Sequence, residues 1–229
     1  MKQKTIFNRN SIDSSICAIE YNYFEPDELV YRDSVNQEIG DFAIKITQFG
    51  GRPTYEFDLS NDFFQAQLDS FELINKAEIE DYDDGLNQIW ELQATIEIDD
   101  SRDEFVQLHL TAWSYTGGAH GNGSTLTYLI DKTSGKSLKL NDLFSDVTAI
   151  TDIGEKYFRK LYDLESGVDL EEAGFWFENN KFHLNNNISI VGDTIEILFN
   201  SYEIAPYSVG QTVIEIPIEE VKNYIKIKI

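Results

Sequence analysis

Two stretches of the chain alternate between apolar and polar residues, the first of them strictly. In "WELQATIEI", Trp90, Leu92, Ala94, Ile96 and Ile98 fall on one side, and in "EFVQLHLTAWSY" Val106, Leu108, Leu110 and Ala112 do the same. A period of two marks a strand with one face in a core, because successive side chains of an extended backbone point to opposite faces. The polar "DDSRD" between the two stretches predicts a turn, so together they read as a β-hairpin. His109 shares the other face with Gln107 and Thr111 and reads as a histidine on the sheet surface rather than a ligand. Two further hairpins follow from the same logic: "STLTYLIDKTSGKSL", turning at "DKTSGK", and "NISIVGDTIEILF", turning at Gly192-Asp193. Short β-branched and aromatic runs predict strands at 12–24 and 42–49. Val213, Ile214 and Ile216 predict another before a short final helix.

Helical spacing appears in "NDFFQAQLDSFELINKA", where Phe64, Leu68, Phe71 and Ile74 form one stripe behind a cap at Ser60 or Asn61, and the helix is expected to reach about Ala77. A second helix is expected from Val147 to Tyr162, with Ile150, Ile153, Tyr157 and Leu161 on its buried side, after a short turn capped by Asn141. "FWFENNKFHL" reads as a loop leading into a strand. Strands joined by hairpins, with helices interspersed rather than alternating with them, define an α+β protein: antiparallel sheets with a few packed helices. The expected organisation is two small subdomains, 1–112 and 113–229.

A chain of 229 residues is long enough for two such cores. The 15 Phe, 12 Tyr and 3 Trp are expected mainly inside them, since aromatic rings bury large areas. Charge narrows the partners. Against 18 Lys+Arg stand 41 Asp+Glu, a formal net charge of -23. Nucleic acid and anionic membrane surfaces are poor partners for such a chain, whereas a cationic protein would be drawn to it; plain solubility is the simpler reading of the same excess. The single cysteine, Cys17, lies among apolar residues in "SICAIEY" and reads as a buried, inert thiol, which leaves neither a disulfide framework nor a cysteine-rich zinc site. No apolar run is long enough to span a bilayer, and "MKQKTIFNRN" lacks the apolar segment of an export signal, so at face value the chain reads as cytosolic.

The densest candidate for chemistry is "SYTGGAHGNG", Ser114 to Gly123. A phosphate cradle needs amides gathered at a helix N-terminus, usually with a Lys; here both flanks read as strands and no Lys follows. A zinc site needs clustered ligands, and His109, His120 and His183 are far apart. No G-x-S-x-G elbow is present, and Ser114, Ser124 and Asp131 around His120 carry little weight in a chain of this size. The acidic "EIEDYDDG", Glu78 to Gly85, does not follow a calcium-loop pattern and reads as a solvated loop. The doublets Glu171-Glu172 and Glu219-Glu220 read as solvent-facing. No catalytic residue, metal or cofactor is therefore assigned. The plain reading of the decapeptide is a turn, with Gly117 and Gly118 taking positive φ.

"YTGGAHGN" (Tyr115 to Asn122), "DKTSGKSLKLNDLF" (Asp131 to Phe144) and "FNSYEIAPYSVG" (Phe199 to Gly210) occur in that order. Together they resemble a bacterial domain-of-unknown-function family. Its members form the extracytoplasmic part of RsiV-type anti-sigma factors, which sense lysozyme, and accompany the catalytic domain of PdaC-type peptidoglycan deacetylases. The N-terminal half, with "YRDSVNQEIGDF", looks like the companion domain usually placed before it. The resemblance implies an extracytoplasmic (periplasmic or cell-envelope) protein whose export signal is trimmed from this chain, with a lipoprotein anchor compatible with the family but no anchoring cysteine at the start. The deacetylase domain, the transmembrane helix and the sigma-binding segment of those relatives are not expected here.

The resulting expectation is a non-enzymatic binding or sensing module for a cationic protein such as lysozyme, or for peptidoglycan. Tyr115, Gly117, Gly118, His120, Tyr202, Pro206 and Tyr207 would form the contact surface, the two loops lying together. Packing of one loop against another is the competing role for the same residues. Two alternatives stand beside it: an enzyme acting on peptidoglycan or another glycan with His120 as acid/base, and a structural lipoprotein with no ligand.

Overall fold

A computed structural model describes residues 1–9, 16–25, 28–47, 61–81 and 90–229. The chain enters through β1 (Lys2–Arg9) and β2 (Ile16–Tyr23), passes through helices α1 (Val30–Thr47) and α2 (Asn61–Asp81), and returns in β3 (Glu91–Asp99), β4 (Phe105–Tyr115), β5 (Asn122–Asp131) and the short β6 (Ser137–Leu138). These strands form one sheet in the order β1-β2-β3-β4-β5-β6. Helices α3 (Leu140–Leu143) and α4 (Val147–Leu161) follow, then β7 (Ile188–Val191), β8 (Thr194–Phe199) and β9 (Thr212–Pro217), and helix α5 (Ile218–Val221). The last three strands make a second sheet, antiparallel throughout. The α+β class holds, and the hairpins β5–β6 and β7–β8 form at the predicted turns.

One pair departs from the antiparallel expectation. β2 and β3 are parallel, with Ile16 opposite Glu91 and Glu20 opposite Thr95. A parallel pair needs a long crossover, and α1 and α2 lie in that connection. This corrects the strand expected at 42–49: residues up to Thr47 belong to α1, and 48–49 lie outside the described residues. Val35, Ile39, Phe42 and Ala43 recur at three- and four-residue spacing and are all buried, so a helical stripe overrides the local β-propensity of "FAIKIT". Asn36 ties α1 to the end of β2, donating to the Phe24 carbonyl at 2.9 Å and accepting from the Phe24 N–H at 3.1 Å. The predicted strand at 12–24 appears as β2 from Ile16; 12–15 lie outside the described residues. β1 was not expected from the pattern.

The chain divides into two compact units: Met1–Asp99 with Leu108–Ser124 and Lys132–Gly135, and Asp100–Gln107 with Thr125–Asp131 and Lys136–Ile229. A boundary between 112 and 113 falls inside β4. In the first unit, Ile19 and Tyr21 of β2, Val35 and Ile39 of α1, Leu68 and Phe71 of α2, Leu92 and Ile96 of β3 and Leu110 of β4 form the core. α2 follows the predicted stripe at Leu68, Phe71 and Ile74 but runs on to Asp81, so Glu78 to Asp81 of the acidic stretch are helical rather than loop, and 82–85 lie outside the described residues.

In the second unit Phe158 stands at the centre of an aromatic cluster, with Phe175 at 4.8 Å, Phe177 and Phe182 at 5.3 Å and Tyr162 at 5.1 Å between ring centroids. This cluster sets the face of α4. Ile150, Gly154 and Phe158 are its buried residues, Ile153 and Tyr157 flank them half-buried, and Leu161 is exposed, so the buried face is rotated from the one predicted. Asp146 caps α4 by accepting from the Ala149 N–H at 3.0 Å. Asn141 does not cap α3; it lies inside the helix, whose N-cap is Lys139. Asp142 closes that end by accepting from the Lys139 N–H at 2.9 Å and from Lys136 Nζ at 2.6 Å, and the Lys136 contact, followed by the backbone bond, holds its carboxyl below the usual range. Gln107, expected on the polar face of β4, is buried because its Oε1 accepts the Ile190 N–H of edge strand β7 at 2.8 Å.

Cys17 is buried, as its apolar neighbours predict, and burial pushes its thiol up to about 12. Burial, with Tyr23 adding to it, likewise lifts the Tyr21 hydroxyl to about 12. The folded state keeps protons that the unfolded chain releases at lower pH, so stability is complete below about pH 9 and declines as pH climbs toward 12. Denaturant midpoints measured across this range will fall, and Cys17 will resist iodoacetamide at pH 8 until the protein unfolds. Rapid alkylation of the folded protein would contradict the burial.

Candidate functional site

The glycine loop begins where β4 ends. Gly117 and Gly118 adopt φ of 91° and 90°, a region where L side chains are strained, so the sequence places glycines where the chain must reverse. Tyr115 Oη donates to the Gly118 carbonyl at 3.0 Å, bracing the turn. His120 is exposed, and its Nδ1 lies 2.9 Å from the Gly121 carbonyl oxygen. Gly121 serves a different purpose: a Cβ there would meet Trp113 Cζ2 at 2.4 Å and Cε2 at 2.6 Å. The indole lies directly against the loop backbone, and only glycine permits that approach.

The second loop, after β8, is pinned from beneath. Ile204 and Ala205 are buried, and the Ile204 carbonyl accepts the Trp176 N–H at 2.7 Å. Asn200 and Glu203 close its neck reciprocally: the Asn200 N–H donates to Glu203 Oε2 at 2.8 Å, and the Glu203 N–H donates to the Asn200 carbonyl at 3.0 Å. Asn185 Nδ2 adds a bond to Glu203 Oε1 at 2.7 Å. Above this base Tyr202 takes φ of 68° and is exposed. Its ring lies 5.5 Å from that of half-buried Tyr207, the planes inclined by 33°. Pro206 leads into a 3-10 turn over Tyr207–Val209, closed by the Gly210 N–H donating to the Tyr207 carbonyl at 2.9 Å.

Asparagine amides connect this loop to β5. Asn200 accepts the Thr125 N–H at 2.7 Å and donates to the Thr125 carbonyl at 3.0 Å. Asn187 accepts the Thr127 N–H at 2.7 Å and donates to the same Thr125 carbonyl at 2.7 Å. A side-chain amide carries the same donor and acceptor as a peptide group, so two asparagines here take the place of a neighbouring strand.

The structure therefore holds the predicted residues in two local arrangements. Tyr115, Gly117, Gly118 and His120 belong to the first unit, and Tyr202, Pro206 and Tyr207 to the second. Trp113 was not singled out by sequence, although its place on the polar side of β4, at the parity of Thr111, was visible there. Trp176 was likewise missed; it is 50% exposed among buried phenylalanines. Among the described residues, no group of three or more His, Cys, Asp or Glu is arranged to hold a metal ion, and no helix is long and apolar enough to cross a membrane.

These features define an α+β protein with two loop-borne aromatic surfaces and no assigned catalytic centre. Residues 141–219 match the family model described as protein of unknown function (DUF3298), so the family resemblance read from the motifs holds over that stretch. No curated protein matches the sequence. Solved structures share the fold along nearly its whole length. A DUF3298 family member from Bacteroides fragilis NCTC 9343 gives a TM-score of 0.73 at 17% identity, covering 99% of this chain and 94% of its own. A DUF3298 family protein from Pseudomonas aeruginosa PAO1 gives 0.62 at 15%, covering 98% and 94%.

Replacing Asn187 with Ala leaves the buried Thr127 N–H without its acceptor and the Thr125 carbonyl with only the Asn200 amide, and is expected to cost about 1–3 kcal/mol. Urea unfolding of Asn187→Ala measures this. A change within error of zero would show that the amide does not hold β5.

Proposed function

We propose that the chain is a non-enzymatic binding or sensing module that works outside the cytoplasm, with a cationic protein such as a lysozyme as its partner or, failing that, the cell wall. The observation that carries this reading is the Tyr202–Tyr207 pair on its pinned loop. Tyrosines with few rotatable bonds on a pre-ordered loop offer contact area at low entropy cost. Ile204 and Ala205 anchor the loop from within, while Tyr202 keeps 51% of its surface in solvent. The net charge of -23 supplies attraction at a distance to a basic protein. The compartment and the lysozyme class rest on the resemblance of the three motifs. His120 contacts the carbonyl of its own loop, which suits a turn-forming role.

Calorimetric titration with a lysozyme tests the reading. Binding is expected at low ionic strength and should weaken as salt is added, since screening shortens the reach of surface charge. Tyr202→Ala and Tyr207→Ala are each expected to lower affinity about tenfold if the pair anchors the contact. Absence of binding at low salt would remove the cationic protein partner, and co-sedimentation with peptidoglycan would then decide for or against the cell wall.

A further inference from the structure

In the first unit one face of the sheet is packed and the other is open. Leu92, Ala94, Ile96 and Ile98 of β3 and Leu108, Leu110 and Ala112 of β4 are buried. The alternate positions Gln93, Thr95 and Glu97 of β3, and Thr111 and Trp113 of β4, are exposed, with Glu91 and His109 half-buried beside them. The register adds β2 to this face: Glu20, also exposed, sits directly opposite Thr95. β2, β3 and β4 contain no Lys or Arg, whereas Glu20, Glu91 and Glu97 all lie on the open side.

Trp113 is a large ring on this face. It is 38% exposed, and one side of the indole is seated on the backbone at Gly121, where a Cβ would come within 2.4 Å, while Cδ1 lies 3.9 Å from the Cβ position of Gly123. Gly121 thus makes room for the ring, and Gly123 of β5 touches its edge at ordinary contact distance. A large aromatic held flat by backbone, rather than inserted into a core, loses little freedom when something covers it. Among aromatic side chains tryptophan attracts cations most strongly, and carboxylates on the same face of the sheet add a longer-range attraction.

We propose that this open face is a docking surface for arginine or lysine side chains of a cationic protein, with Trp113 receiving a cationic group over its ring and Glu20, Glu91 and Glu97 adding negative charge elsewhere on the same face. The proposal rests on the cationic-partner reading above and names where, in the first unit, such a partner is gripped. Charge complementarity favours this occupant over a neutral glycan, which would also stack on indole and donate hydroxyls to carboxylates but carries no charge for them to attract.

The test is calorimetric titration of the full chain with two probes, an oligoarginine peptide and a lysozyme, at low and high salt, with circular dichroism and thermal melts confirming that each variant is folded. Both probes should bind the unaltered protein at low salt and weaken steeply as salt rises. Trp113→Ala should weaken binding about tenfold. Gly121→Ala keeps the indole but forces it off its seat, and should weaken binding in the same direction. The double variant Glu20→Gln/Glu97→Gln should flatten the salt dependence. Unchanged affinity in folded Trp113→Ala, salt-independent binding, or binding of peptidoglycan fragments in place of both cationic probes would overturn the proposal. If lysozyme binds and only the Tyr202 and Tyr207 variants weaken it, this site falls and the proposed function stands. If oligoarginine binds through Trp113 and lysozyme does not bind at all, the site stands and the lysozyme partner falls.

Discussion

The backbone of β5 between Thr125 and Thr127 is held by two asparagine side chains, and much of the second unit follows from that constraint. Asn187 and Asn200 each present a donor and an acceptor in the geometry of a peptide group. A strand whose polar groups are buried must find partners, and an amide does this without continuing the sheet. Asn187 directly precedes β7, and its own carbonyl accepts the Leu198 N–H of β8 at 3.0 Å. Asn200 directly follows β8 and, with Glu203, sets the neck of the loop that carries Tyr202 and Tyr207. The polar run "LNNN" and the "FNSYE" motif are therefore primarily structural. They fix where the exposed tyrosines stand.

The two loops solve the same problem differently. The glycine loop lets the backbone come close to a ring, so that Trp113 lies on the chain itself. The later loop buries Ile204 and Ala205 and leaves its tyrosines in solvent. In both, backbone conformations unfavourable to most residues, at Gly117, Gly118 and Tyr202, are offset by hydrogen bonds and packing around them. Rigid aromatic surface on a strongly acidic protein is the physical basis of the proposal that the molecule binds a cationic partner.

Much of the fold was legible because its signals are local. Alternation along "WELQATIEI" needs only one buried face to be readable, and the turns at "DKTSGK" and Gly192-Asp193 follow from the residues in them. The failures come from contacts that are distant in sequence. The segment "FAIKIT" has the composition of a strand, but Val35 and Ile39 upstream complete a helical stripe that packs in the core. The buried side of α4 turned toward Phe158 because phenylalanines at 175, 177 and 182 converge there, which nothing within the helix announces. Gln107 looked like a surface residue until an edge strand more than eighty residues away needed an acceptor. The parallel β2–β3 pair was hidden for the same reason: pairing direction depends on the crossover, not on the strands.

The sequence by itself determined the α+β class, the acidic surface, the inert cysteine and the glycine requirement of the decapeptide, since each depends on composition or on neighbours within a few residues. Its three motifs also pointed to the family that residues 141–219 match. Only the tertiary structure decided that Gly121 makes room for Trp113, that asparagines stand in for a strand beside β5, and that Tyr202 and Trp176 face solvent while the phenylalanines around them do not. Those are facts about which surfaces meet. Close packing and buried hydrogen bonds select them from many arrangements that the local pattern allows equally well.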